Sequence, residues 1–331
     1  MAALDRGRLM RVLVTGGAGY IGSHAARELA RHGHSVLIYD NLSTGHRFLA
    51  DGFELIEADL SDSAAAESAL RRADAVMHFA AHSFVGESVQ NPRKYFENNV
   101  RSALSFLNVA LDAGIKYFIF SSTCAVYGVP RDIPIAETAP RQPVNPYGAS
   151  KLLFENALEA YSQAYGLRSV CLRYFNAAGA DESAEIGELH DPEPHLIPCA
   201  LQTAAGVRDH LDVYGTDYPT RDGTCIRDYI HVTDLAKAHV RALEYLAGGG
   251  PSTALNLGTG EGHSVLELVS VAQEITGLPI ARQICARRPG DPPVLVANAS
   301  RAYEVLKWKP SRSIRDTVSS AWNWMQVSAR R

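Results

Sequence analysis

Val12-Leu-Val-Thr-Gly16-Gly-Ala-Gly19-Tyr-Ile-Gly22 is the stretch on which the fold turns. Consecutive apolar residues read as a strand covered on both faces, and Ile21, Ala25 and Leu29 recur with the period of a helix. Glycines at 16, 19 and 22 join the two, leaving room for a tight turn, a diphosphate and close helix–strand packing. The helix start, with Tyr20 and Ile21, offers free N–H groups and a positive dipole end to phosphates. A second strand, 36–39, ends at Asp40, where a ribose-binding carboxylate belongs. A carboxylate accepts hydrogen bonds from a 2′-hydroxyl and repels a 2′-phosphate. No arginine follows in Asn41-Leu-Ser-Thr, so NAD is favoured over NADP. Asp59 and Leu60, after a third strand, are candidates for the adenine edge, although an acid at that position is also a common helix cap.

Outward from this stretch, short apolar runs at 12–14, 36–39, 53–56, 75–79, 117–120 and 170–172 alternate with helical segments at 21–32, 98–112 and 147–165. The alternation predicts an α/β fold: a Rossmann-type doubly wound parallel sheet with a smaller C-terminal substrate-binding lobe. The divisions expected are an extension at 1–9, an NAD-binding domain at 10–176, and a lobe at 177–331 that returns some segments to the first domain. Residues 176–230, rich in Pro, Gly and Asp, show few long periodic stretches. Helices are expected again at 233–246, 265–276 and 314–325.

The chain has 331 residues, 46% hydrophobic and 21% charged, with a formal net charge of −4, so no basic excess calls for nucleic acid or an anionic membrane. No run of about eighteen apolar residues is present to span a bilayer. The five cysteines have no C-x-x-C spacing, which fits reduced thiols and a cytoplasmic location. The first residues lack the apolar core of a signal peptide. His32-Gly-His34 has no evident third ligand and reads as a solvated loop, so no metal is expected.

The second chemical signal is Tyr147-Gly-Ala-Ser-Lys151, opening a helix after Pro146. Residues four apart share a helix face, so phenol and ammonium project together. A tyrosine with its ordinary pKa near 10 is a poor base at neutral pH, and a nearby ammonium or a cationic nicotinamide favours the phenolate. Tyr147 could then exchange a proton with a carbinol oxygen. Thr123 ends a strand in Phe120-Ser-Ser-Thr-Cys-Ala-Val-Tyr-Gly128 and offers a hydroxyl beside it.

Together these pieces resemble the extended short-chain dehydrogenase/reductase family and, within it, the UDP-glucose (UDP-galactose) 4-epimerases, from about residue 11 to about 325. The resemblance is carried by Thr15-Gly-Gly-Ala-Gly-Tyr-Ile-Gly, Asp40-Asn41, His78-Phe-Ala-Ala, Val85-Gly-Glu-Ser-Val and Asn98-Asn-Val. Further support lies in Leu172-Arg-Tyr-Phe-Asn-Ala-Ala-Gly, the run from Tyr218 to Val232, and Arg287-Arg-Pro-Gly-Asp291. It implies that Tyr147 is the acid/base, Lys151 its electrostatic partner and Thr123 the third member. It further implies cofactor contacts from Phe79, Ala80, Ala81, Asn98, Ser121 and Tyr174. Phe175, Asn176, His195, Leu196, Val213, Tyr214, Arg227, Arg288, Asp291 and Leu295 would face the substrate. Within that set Arg227 and Arg288 would clamp the diphosphate, Asp291 would hold the uridine ribose, and Val213 and Tyr214 would frame the uracil. Arginine suits multidentate phosphate contacts. Ser83 and Ala81 depart from the family's lysine and glycine, and Leu295 is of intermediate size at the edge of the sugar pocket.

The implied activity is reversible C4 epimerisation of UDP-galactose and UDP-glucose through a transient 4-keto sugar, by an NAD-dependent isomerase. The alternatives are another UDP-sugar (an N-acetylhexosamine, a pentose or a uronic acid), a nucleotide-sugar 4,6-dehydratase, and a non-catalytic NAD-binding sensor. A dehydratase needs acids after the strand-end Thr, where Cys124-Ala125 stand, and a sensor can lose the Tyr or Lys that this chain keeps. A homodimer through the helices at 98–112 and 147–165 is implied as well.

Overall fold

The computed structural model describes residues 9–288 and 290–328. The extension read at 1–9 thus lies, apart from Leu9, outside the described residues. The first half alternates strand and helix: β1 (Arg11–Thr15), α1 (Tyr20–Arg31), β2 (Ser35–Asp40), β3 (Glu54–Glu57), α2 (Ser63–Leu70), β4 (Ala75–His78), α3 (Val85–Gln90), α4 (Pro92–Phe96), α5 (Ala103–Asp112), β5 (Tyr117–Thr123), α6 (Pro146–Tyr165) and β6 (Arg168–Tyr174). The second half adds β7 (Asn176–Ala178), α7 (Leu196–Ala204), β8 (Leu211–Tyr214), β9 (Ile226–His231), α8 (Val232–Ala247), β10 (Thr253–Leu257), β11 (Gly262–Ser264), α9 (Val265–Thr276), β12 (Arg282–Cys285), β13 (Val294–Leu295), α10 (Ser300–Leu306) and α11 (Ile314–Ser328).

Seven parallel strands form the central sheet in the order β10-β6-β5-β4-β1-β2-β3. The six strands read from sequence are all present. Their apolar runs are continuous because side chains alternate between two covered faces. Val12 and Val14 join Leu29, Leu243 and Leu246 on one face, where α1 and α8 pack. Leu13 and Val76 join Phe106, Phe118, Phe154 and Leu158 on the other, under α2, α5 and α6. The strand order reverses between β1 and β4, and the glycine turn opens at that crevice, the usual place for a ligand in such sheets.

Three features differ from the sequence reading. β10 comes from residues 253–257 and supplies the seventh strand; Asn256 interrupts its apolar run and hides it. The helix expected at 98–112 begins with a π-helical segment, Glu97–Ser102, before α5. That wider winding carries Asn99, whose Nδ2 donates to the His82 carbonyl at 2.9 Å and to Ser150 Oγ at 3.1 Å. Finally, 176–230 holds more regular structure than its composition implied. α7, α9 and α11 share a separate core through Ile197, Leu201, Leu268, Val269 and Val318. Beside it stand a small sheet, β11-β9-β13 with β7 on β9, and the pair β12-β8.

Candidate active site

Gly16 has φ +71°, and a Cβ there would lie 2.5 Å from the Ala80 nitrogen. A Cβ at Gly22 would lie 2.2 Å from the Gly16 carbonyl oxygen. Both positions are closed to any side chain, so the turn packs onto the end of β4, where Phe79, Ala80 and Ala81 follow. Gly19 differs. A Cβ there would meet only the Gly16 oxygen, at 3.3 Å, so its outer side is open. Gly19 also caps α1, and the unbonded amides of the first turn, Tyr20 and Ile21 among them, face the same opening. The Tyr20 hydroxyl is turned away, donating to the Gly179 carbonyl at 2.6 Å. This is a cradle for a diphosphate made of backbone alone.

Asp40 ends β2, buried beside that cradle. Its Oδ2 accepts from the Ala18 amide at 2.9 Å and its Oδ1 from the Leu42 amide at 2.8 Å. Each oxygen keeps a lone pair for a ribose hydroxyl. Burial raises the carboxyl pKa, and the two amides oppose it. Asn41 Nδ2 donates to Asp59 Oδ2 at 2.7 Å, tying the end of β2 to the loop after β3. Burial works against the charge on Asp59, but hydrogen bonds from Ser61 and Asn41 hold its pKa below the usual value. Leu60 beside it is buried. The closed and open glycines, the helix start without a side-chain cap, and Asp40 beside the Asn41–Asp59 pair fit NAD.

Tyr147 stands in the first turn of α6, which Asn145 caps by accepting from the Gly148 amide at 2.8 Å. A Cβ at Gly148 would lie 2.5 Å from the Ala125 carbonyl oxygen, so α6 is pressed against the turn that follows Thr123. This close approach brings Tyr147 to Thr123. Lys151, one turn on, is 3% exposed, and its Nζ donates to the Ser121 carbonyl at 2.8 Å. The same nitrogen lies 4.9 Å from the Phe120 ring centroid and 5.9 Å from that of Tyr147. Burial lowers the Lys151 pKa to about 7, against the pull of Glu155. Burial raises the Tyr147 phenol to about 12, with Thr123 opposing. The expectation that the ammonium would favour phenolate is therefore outweighed in this geometry by the low polarity around both groups. Ser121 Oγ pairs with the Tyr174 hydroxyl, and burial raises that phenol as well. Asn98 Nδ2 donates to Asn99 Oδ1 at 3.0 Å, beside the His82 loop.

Behind these groups lies a buried network that the sequence reading missed. Arg173 Nη2 reaches Glu155 Oε2 at 2.6 Å, and its Nη1 donates to the Tyr127 hydroxyl at 2.9 Å. Tyr127 in turn donates to Asn256 Oδ1 at 2.7 Å. It ties β5, β6, β10 and α6 together directly under the catalytic strand ends. The one signal available was Glu155, four residues after Lys151 and so on the same buried face.

The residues expected at the substrate gather on the neighbouring small sheet. Asn176 Nδ2 donates to the Asp228 carbonyl at 3.1 Å. Phe175 is buried in a cluster with Cys124, against which Leu295 packs, and Leu295 sits beside Arg227 in the β13–β9 register. The Arg227 guanidinium pairs with Asp291 and donates to the Ile226 carbonyl at 2.8 Å; its side chain is 12% exposed. Arg288 is exposed and lies 4.0 Å above the Tyr214 ring, while Val213 is buried behind. Leu196 opens α7 just after His195. Burial alone would lower the His195 pKa, but Glu188 and Glu193 outweigh it and raise it to about 10. The cluster of Glu188, His190, Glu193 and His195 was also missed; its signal was the spacing E-x-H-x-x-E-x-H.

The sequence model of the NAD dependent epimerase/dehydratase family matches residues 12–258. A UDP-glucose 4-epimerase of Rhizobium leguminosarum bv. trifolii is 50% identical over 315 residues, covering 95% of this chain and 96% of that protein. The crystal structure of UDP-glucose 4-epimerase from Brucella ovis in complex with NAD matches with a TM-score of 0.92 at 49% identity, over 94% of this chain and 97% of that one. The UDP-glucose 4-epimerase of Bifidobacterium longum, in complex with NAD+ and UDP, matches with a TM-score of 0.92 at 39% identity, over 96% and 99%.

Proposed function

This chain belongs to the NAD dependent epimerase/dehydratase family, and from that premise we propose that it interconverts UDP-galactose and UDP-glucose by inverting C4 of the sugar. The observation that carries the reading is Tyr147 held by α6 against Thr123, with Lys151 buried one turn away, at the strand ends next to the glycine cradle. NAD, which the glycine turn and Asp40 would hold, would supply a hydride acceptor and donor for C4 and, in its oxidised form, the positive charge that a Tyr147 phenolate needs.

The chain's own residues do the rest. Tyr147 takes the proton of the sugar's 4-hydroxyl as a 4-keto sugar forms, and returns it to the same oxygen once the sugar has turned its other face toward the cofactor side. Thr123 hydrogen-bonds that oxygen beside the phenol. Lys151, fixed by the Ser121 carbonyl, holds positive charge near the phenol and reaches the nicotinamide ribose. Arg227 and Arg288 hold the diphosphate, Asp291 the uridine ribose, and Asn176 a phosphate or the sugar. Binding energy placed on UDP leaves the sugar weakly held and able to turn between the two transfers. Phe175 and Leu295, which belong to one apolar cluster, offer an apolar wall to that turning sugar.

The test is product analysis with UDP-galactose, UDP-N-acetylgalactosamine and UDP-xylose in parallel. Conversion of UDP-galactose to UDP-glucose at the highest kcat/KM is expected; no conversion of UDP-galactose sinks the reading. We further infer a homodimer, because Val85 and Val89 of α3, Phe96 of α4 and Leu153 of α6 are exposed apolar residues on helices that pack together. Light scattering at twice the chain mass is the expected result. No described helix is long and apolar enough to cross a membrane. Five free cysteines fit a cytoplasmic site of action.

A further inference from the structure

Glu188, His190, Glu193 and His195 lie on the short segment that leads into α7, and one ligand-capable atom from each falls within 4.8 Å of all the others. His190 Nδ1 is 3.3 Å from Glu188 Oε1 and 3.5 Å from Glu193 Oε2. Donors on a four-coordinate ion with bonds of about 2.0–2.1 Å stand about 3.3–3.4 Å apart. Those two separations already match. His195 Nδ1, at 2.8 Å from Glu188 Oε1 and 2.9 Å from Glu193 Oε1, would need to open by about half an ångström to reach the same spacing.

Further observations separate this cluster from a surface tangle of charges. The Glu188 and Glu193 side chains are only 6% and 5% exposed. Among the described residues their ion-pair partners are these two histidines, with no lysine or arginine. In the empty cluster the two protonated histidines balance the two dry carboxylates, and one divalent ion would take the place of both protons at the same charge. The buried His190 Nδ1 lies in ion-pair range of both carboxylates but makes a well-formed hydrogen bond to neither. The donors are also held from outside the cluster. Trp324 Nε1 donates to the Glu188 carbonyl at 2.8 Å, and Cys199 Sγ contacts the Glu193 carbonyl at 3.3 Å. The Phe84 ring closes one side, 5.5 Å from the His190 ring and 6.1 Å from that of His195.

We propose that Glu188, His190, Glu193 and His195 bind one divalent transition-metal ion. Two imidazoles and two carboxylates favour zinc, cobalt or nickel over magnesium or calcium, which prefer all-oxygen shells. The protein fills all four positions, so the ion is structural and activates no water. It fastens residues 188–195 to the start of α7, and so sets where His195 and Leu196 stand toward the neighbouring site. The site is separate from Tyr147 and Lys151, and its test does not depend on turnover.

The experiment strips the NAD-bound protein with a chelator and titrates it with Co2+ and with Zn2+ by calorimetry, with metal content read by mass spectrometry. One ion per chain is expected, with the Co2+ form showing the visible bands of a four-coordinate nitrogen and oxygen shell. His190→Gln and Glu193→Gln should each weaken binding by at least about tenfold. Absence of bound Co2+ and Zn2+ would overturn the proposal. So would binding undiminished in both variants, or a sulfur-to-cobalt charge-transfer band, which would place the ion on cysteine. The wild-type stoichiometry and spectrum decide the question even where a variant fails to fold.

Discussion

The two sides of the site are prepared to different degrees. Around the glycine turn and α6, the fold itself sets the geometry: Gly16 and Gly22 are locked by contacts that admit no Cβ, and Lys151 is bonded to the Ser121 carbonyl. Across the cleft, on β9 and the loop before β13, Arg227 is bonded to Asp291, and Arg288 lies exposed on Tyr214. The first side can act on a ligand without rearranging, which is what stabilisation of a transition state requires. The second must exchange an internal carboxylate for an incoming phosphate, so part of its attraction is already used. Chemistry should therefore fail sharply when the first side is changed, and binding should fade gradually when the second is.

The sharpest way to break that contrast is Tyr147→Phe, which keeps the ring and removes the proton. Turnover should fall by about 10³–10⁴ with KM little altered, read by conversion of UDP-galactose. A loss under tenfold would remove Tyr147 from proton transfer. Gly22→Ala comes next. Its Cβ would stand 2.2 Å from the Gly16 carbonyl oxygen and 3.0 Å from the Gly17 Cα, backbone atoms with nothing flexible to give. NAD binding should weaken by at least about a hundredfold, measured as nucleotide retained through gel filtration. On the other side, Arg227→Lys loses the planar fork while keeping the charge, and KM for the UDP-sugar should rise about tenfold at nearly constant kcat. A collapse of kcat instead would mean that the clamp shapes the chemistry as well as the affinity.

The smallest effect concerns acid. His78, at the end of β4, is buried, its Nδ1 paired with Thr15 Oγ1 at 2.7 Å, and burial lowers its pKa to about 3, with Lys151 adding to the shift. Between that value and the ordinary 6.5, the unfolded chain binds a proton that the folded chain refuses. Stability from this residue is complete above pH 6.5 and is lost as pH falls below it, by about 1.4 kcal/mol per unit. In denaturant titrations from pH 6.5 to 4.5, His78→Gln should lose stability less steeply than the wild type. Equal slopes would show that the residue is not held neutral.

What could be read in the sequence was chemistry carried by neighbours in the chain. The glycine turn is a backbone device, and its spacing states the geometry outright. Tyr147 and Lys151 share a helix face by spacing alone. The helix expected at 265–276 forms at Val265–Thr276 because Ser264 and Glu267 make a capping box and Gly277 takes the left-handed conformation that stops it. The strand β10 escaped because Asn256 is polar in a strand with no exposed face. Its side chain is satisfied from afar, by the Tyr127 hydroxyl and by the Ile135 carbonyl at 2.8 Å. The Arg227–Asp291 pair joins residues 64 positions apart, and no local pattern announces it. The pKa of Tyr147 went the opposite way from the spacing argument because burial is a property of the folded site and not of the helix.

Carbon and oxygen at C4 part with their hydrogens by different routes, the oxygen's through Tyr147 and the carbon's without touching water. UDP-galactose carrying deuterium at C4, turned over in ordinary water, tests it directly, with C4 of the UDP-glucose product read by NMR. Deuterium retained at C4 is the expected result. Deuterium exchanged for solvent hydrogen would contradict the proposed mechanism.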